Sequence, residues 1–273
     1  ELYRPQPATA TDDADGDEED PEPGTPPEFT IKRYWGSSAT VKPGQPEIFT
    51  FDKLTPEQQA AMREAAAKAQ RQESYFYKPN WTTGYWPTKK QPGQIAPDAA
   101  LAGKYTLNTT YTGNVSIEVP EHVNFLPPID LTSPDLTKQP PLAEAIRFAW
   151  KPLPNILGTH ALMMGMQGQN TLIIWSSSEV REEMGMDYGF LQMAEVRDYV
   201  AKTIFMAPDR QEVTVPAGIF QGCDMVFLTM VGYGPGVALA EAQPLPRVQT
   251  KTSLQVMLGG KGMPAMGDLD EEE

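Results

Sequence analysis

Chemistry in this chain would have to come from few side chains, and the densest group of them is "HALMMGMQGQN", His160 to Asn170. It holds one of two histidines and three of thirteen methionines. Thioethers and an imidazole are soft ligands of the kind that hold Cu(I). The pair Met164-Gly165-Met166 recurs as Met184-Gly185-Met186, so a copper site can be drawn from His160, Met164, Met166, Met184 and Met186. The same run reads equally as a strand. Period-two alternation puts His160, Leu162 and Met164 on one face and Ala161 and Met163 on the other. Gly165, Gly168 and Asn170 then form the following turn. A blue-copper set needs Cys with two His, and the run supplies neither Cys nor a second His. Methionine also fills irregular core gaps without any metal. The strand-and-turn reading is preferred, and no metal or cofactor is expected.

Hydrolytic chemistry has less support. No G-x-S-x-G occurs, and His122 and His160 are the only imidazoles available to a nucleophile. Cys223 opens an apolar run with no basic neighbour in sequence, as a small buried residue would. "GYGPG" and "LGGKG" lack the strand, loop and helix context of a phosphate loop. Glu182 and Glu183 read as a solvated acidic face, the default for surface charge. "DADGD" fails as a calcium loop, because the sixth and twelfth positions from Asp13 hold Glu18 and Gly24 where Gly and Glu are needed. No residue is assigned to catalysis, and the expectation is a protein that is not an enzyme.

Binding has a clearer candidate. Within "SYFYKPNWTTGYWPTKKQPG" (74–93) stand Tyr75, Phe76, Tyr77, Trp81, Tyr85 and Trp86, among prolines and glycines that preclude a helix. Such rings bury against the protein's own sheet, anchor a partner interface, or stack on sugars. Tyr75, Tyr77, Trp81, Tyr85 and Trp86 are the residues assigned to partner or ligand binding. Three Asn-x-Ser/Thr triplets begin at Asn80, Asn108 and Asn114, a frequent accident in threonine-rich strands.

The elements that must position these groups follow from composition. The formal charge of the 273 residues is −14. Residues 1–30 carry ten acids against Arg4, "GDLDEEE" at the C-terminus carries five more, and the 236 residues between are neutral overall. Acidic, proline-rich ends stay solvated and self-repel, so 1–28 is expected to be a disordered tether and 261–273 a disordered tail. A neutral body gives no basic footprint for nucleic acid. One cysteine excludes an internal disulfide. No apolar run reaches the ~18–20 residues that span a bilayer. Opening on Glu1, the chain is expected to have lost a leader.

Residues 29–98 are expected to form an extended aromatic-rich arm. It includes two short β segments around "KPGQP" and a helix over 55–72, capped by Thr55 with Pro56 in its first turn. Residues 99–137 give a short β segment, "KYTLNTTYTGNVSIEVP", and a proline-rich connector. Residues 138–260 hold the main β domain, with strands at "AIRFAW", "LGTHALMMG", "NTLIIWSSS", "QEVTVPAG", "CDMVFLTMVGYG" and "TSLQVML". "SSSEVREEMGMDYGF" reads as a turn and short helical segment from Ser178. "AEVRDYVAKTIFMAPD" fits helix or strand.

"IRFAWKPLPNILGTHALMMG" followed by "QNTLIIWSSS" resembles the opening strands of a fibronectin type III or immunoglobulin-like domain, over roughly residues 140–260. The usual Tyr after the "PNxxG" link is replaced near His160. "VTVPAGIFQGCDMVF" with "GYGPGVALAE" is similar to a segment of bacterial envelope proteins. Beside the N-terminal helix and disordered acidic tails read from the residues themselves, these resemblances imply a mainly β fold, an immunoglobulin-like or fibronectin-like sandwich with Trp150 in its core. They also imply a periplasmic, cell-surface or extracellular place. The expected function is a structural or assembly subunit of an envelope or extracellular complex, with protein partners and no nucleic acid, docking through the aromatic arm. A module for polysaccharide or a small ligand, or an envelope copper-binding protein, is the alternative.

Overall fold

The computed structural model describes residues 29–50, 98–109, 113–182, 188, 191–238 and 247–260. The tails 1–28 and 261–273 and the helix expected over 55–72 lie outside the described residues. All described residues except Asp98 and Ala99 belong to one unit, Phe29–Asp52 with Ala100–Glu273.

The described chain is mainly β, with several sheets and one helix. Its strands are β1 (Thr30–Trp35), β2 (Glu47–Thr50), β3 (Gly103–Thr109), β4 (Gly113–Val119), β5 (Leu131–Ser133), β6 (Ile146–Trp150), β7 (Gly158–Gln167), β8 (Thr171–Ser176), β9 (Glu212–Val215), β10 (Met225–Ala238) and β11 (Arg247–Gly260). The helix α1 spans Met193–Ala201. Six strands form one sheet in the order β11-β10-β7-β8-β1-β2; β3 and β4 pair alone; β5, β6 and β9 form a third sheet.

The large sheet grows from hairpins. β7 turns into β8 through Gly168, whose φ of +62° suits a residue without a Cβ. Their antiparallel register sets Met163 against Trp175 and Gly165 against Ile173. β10 lies antiparallel to both β7 and β11. β1 joins β8 in parallel, which only a distant segment of chain can do. Residues 29–50 were expected to belong to the extended arm. Instead Thr30–Trp35 is an interior strand of the main sheet and Glu47–Thr50 its edge. Pairing across some 140 residues leaves no local trace in the sequence, hence the difference.

Alternation then decides what is buried. On β6, Ile146, Phe148 and Trp150 share the inward face, as "AIRFAW" predicts, and β9 adds Val213 and Val215. They join one apolar cluster with Ala161 and Met163 of β7, Ile173 and Trp175 of β8, Leu228 and Met230 of β10 and Val256 and Leu258 of β11. The small sheet therefore covers one face of the large sheet. Trp175 is fully buried and donates its indole N–H to the Gly36 carbonyl at 3.0 Å.

Among the described residues, the helix packs against one end of the opposite face of the large sheet. There "AEVRDYVA", ambiguous by sequence, is helical. The Gln192 amide donates to Glu195 at 2.6 Å at its start, and Val196 is its fully buried anchor. Val196, Leu191, Phe205 and Tyr233 form a second apolar cluster with Tyr188, Tyr199 and Val200 around its edge. No helix among the described residues is long and apolar enough to cross a membrane.

Candidate functional site

The outer face of the large sheet changes character along its strands. Beneath α1 stands His160 of β7, in register with Val231 of β10 and, through it, Ser253 of β11. Two residues further along β7, Leu162 aligns with Thr229 and Gln255; two further again, Met164 aligns with Phe227 and Met257. The last aligned pair is Met166 with Met225. The row Met164, Phe227 and Met257 is 37%, 43% and 37% exposed, and Met225 is 43% exposed. Gly165 and Val226, between them in sequence, point into the core instead. Met164, Met225 and Met257 are all of the strongly exposed methionines among the described residues, and all three stand in this patch. Ile174 of β8, partly buried, continues the row, and buried Arg33 of β1 ends its apolar part.

At the covered end the polar groups interlock. Glu182 was read from sequence as part of a solvated face. The structure overturns that: Glu182 is only 9% exposed and His160 2%. His160 Nε2 donates to Glu182 Oε1 at 3.1 Å, since a carboxylate can only accept. Ser176 Oγ donates to Oε2 and the Tyr188 hydroxyl to Oε1. Arg33 donates to the Glu182 carbonyl at 2.6 Å and contacts Glu47 at 3.4 Å, which Arg181 also engages. The His160 ring stacks on Phe205, with centroids 5.1 Å apart. Burial pushes the Glu182 carboxyl up, but the bonds and charge from His160, then those from Ser176 and Tyr188, outweigh it and hold it below the usual carboxylate range. Burial and that same carboxylate push the Tyr188 phenol up.

A carboxylate–imidazole pair supplies two of the three members of a hydrolytic triad, yet Ser176 bonds to the carboxylate. The contact that activates a serine is the one to the base. Its geometry is that of a buried lock between β1, β7, β8 and the loop after β8. Single-sequence reasoning missed it because Glu182 sits in "EVREE", a stretch with the composition of a surface.

Beside the lock opens a cleft of about 390 Å³, lined by Ser177, Val200, Thr203, Phe205 and Arg210 among others. Glu179 at its wall is held by Lys42 at 2.6 Å and Arg210 at 3.1 Å. Burial raises the Glu179 carboxyl, and these two cations more than reverse the effect.

Among the described residues, the structure separates His160 from the methionines that sequence grouped with it. His160 and Met164 share a face, but four residues of strand span roughly 13 Å, and His160 is committed to Glu182. Met184 and Met186 lie outside the described residues, as do Tyr75, Tyr77, Trp81, Tyr85 and Trp86. His122 is exposed at a turn before buried Val123. The Cys223 thiol is half-buried and pushed up to about 11 by burial and the Asp224 charge, which leaves almost no thiolate at neutral pH. No group of three His, Cys, Asp or Glu placed to hold a metal occurs among the described residues. What alignment across strands brings together, and spacing along the chain does not, is Met164 and Met166 with Met225 and Phe227.

The fold and this face define a mainly β protein with a partly covered outer sheet surface. Comparison with known protein families, with curated proteins and with solved structures found no match.

Proposed function

We propose that this protein is a non-enzymatic assembly subunit that docks a protein partner on the outer face of its large sheet. The observation that carries the reading is the exposed row Met164, Phe227 and Met257, with Met225 beside it. A contiguous apolar patch on a sheet, beside a face that the same sheet covers with a helix, is the usual mark of an interaction surface. Methionine and phenylalanine are enriched where partners bury each other, and methionine adapts to an apolar partner surface. The partner chemistry this fits is the apolar face of another protein's strand or helix. The rings of Tyr75, Tyr77, Trp81, Tyr85 and Trp86 are a second proposed contact, supported by their composition. An envelope or extracellular place is supported by the sequence resemblance.

The test is native mass spectrometry of the full chain isolated gently from its source, with and without Phe227→Lys. A stoichiometric complex that the substitution reduces at least tenfold supports the reading. A lone chain in both samples, or a complex indifferent to the charge, overturns it.

A further inference from the structure

We propose that Met164, Met166 and Met225 form a Cu(I) site on this exposed face, capped by the ring of Phe227. β7 offers Met164 and Met166 two residues apart, about 6.6 Å between Cα atoms. β10 lies antiparallel beside it, with Met225 opposite Met166 and Phe227 opposite Met164. Directly opposed side chains start from Cβ atoms roughly 4.5–5.5 Å apart and diagonal ones roughly 7–8 Å. A methionine sulfur lies two bonds beyond its Cβ on a chain with three rotatable bonds. Three thioethers can therefore converge on one point above the sheet without any backbone movement. Met257 is aligned with Phe227 on the far side, beyond a register shift between Val226 and Phe227, and the three-sulfur site does not need it.

The chemistry of the block selects the metal. Thioethers are soft and neutral, and they suit Cu(I) over hard divalent ions. The described residues aligned with the block on the neighbouring strands are Leu172 and Ile174 on β8 and Met257 and Gly260 on β11, none of which carries a carboxylate or amine. An aromatic face beside a bound monovalent ion adds a cation–π attraction. Met164 and Met225 are open enough for an ion to enter directly. This differs from the set drawn along the sequence: His160 drops out, because it is buried on Glu182, and Met225 and Phe227 replace it. Alignment across strands creates the site, and spacing along the chain does not show it.

The test uses the full chain, reduced and anaerobic, titrated with Cu(I) against a chromophoric Cu(I) chelator. Methionine ε-methyl carbons are followed by NMR in the same samples. The expected result is one Cu(I) held per chain, with the methyls of Met164, Met166 and Met225 shifting together. The double substitution Met166→Leu, Met225→Leu keeps volume and apolarity, and is expected to weaken Cu(I) retention at least tenfold with unchanged unfolding. Failure to compete with the chelator overturns the proposal. So does equal retention by the double variant, which would put the metal on other sulfurs. Cu(I) retention is read on the isolated chain, and partner docking by native mass spectrometry without added copper, so the two readings fail in different measurements. Loss of one reading is thus separable from loss of the other.

Discussion

Glu182 is where a single residue matters most to this fold. It is a buried carboxylate, and three side-chain donors and an arginine on its backbone hold it in place. Its carboxyl lies below the ordinary value of 4.5, so protons prefer the unfolded chain. The stabilisation is present above about pH 4.5 and is lost as pH falls through the lower native value. Glu182→Gln keeps the shape and removes the charge. It leaves donors from His160, Ser176 and Tyr188 imperfectly met, at a cost of about 1–3 kcal/mol. Urea unfolding of both proteins between pH 3 and 7 checks this. The gap between them is expected at pH 7 and should close as acid neutralises the native carboxylate. A constant gap would mean that the charge contributes nothing.

Among the elements, β7 makes the most varied contacts, because its two faces do different work. Ala161 and Met163 fill the core, while His160 and Met164 meet the lock and the open face. Its first residue, Gly158, is where α1 comes close. A Cβ there would stand 2.6 Å from the Val200 methyl and 3.3 Å from the Met206 carbonyl. Gly158→Ala should therefore push α1 away from the sheet and cost about 1–3 kcal/mol, as overpacked sites do. Denaturant unfolding gives the cost, and hydrogen exchange of the α1 amides gives its location. Faster exchange confined to α1 is expected, with β8 unaffected. The strands of this region were legible in sequence because Ile146, Phe148 and Trp150 alternate over "AIRFAW", and "NTLIIWSSS" is a short apolar run of strand-forming residues between turn residues. The helix was not: Val196 and Val200, at a spacing of four, suit a helical stripe, but β-branched residues suit a strand as well. Burial of Val196 against Phe205 and Tyr233 settles it.

At the scale of the whole described unit, the large and small sheets share one apolar cluster. Phe148, fully buried on the small sheet, is a direct link between them. Phe148→Ala is expected to cost about 3–5 kcal/mol. Unfolding should remain one transition, since neither sheet keeps a core without the other. Near-UV and far-UV circular dichroism transitions that separate in the variant would show that the sheets unfold independently. The outer face bears on function in the same way. α1 covers one end of it, while Met164 and Phe227 at the other end are exposed, so one sheet holds both a closed structural cluster and the surface proposed for binding.

By itself the sequence determined the β character, the positions of most strands in residues 146–258, and the inward set Ile146, Phe148 and Trp150, because side-chain alternation is a local property of the backbone. It also located the acidity in the two ends. Only the tertiary structure decided that Thr30–Trp35 lies parallel to β8, that Glu182 is buried under His160, and that Met225 and Phe227 stand opposite Met166 and Met164. Each of these depends on which strand pairs with which, and in what register. Hydrogen bonds between distant segments and the burial of one whole face set that register. No spacing along the chain encodes it.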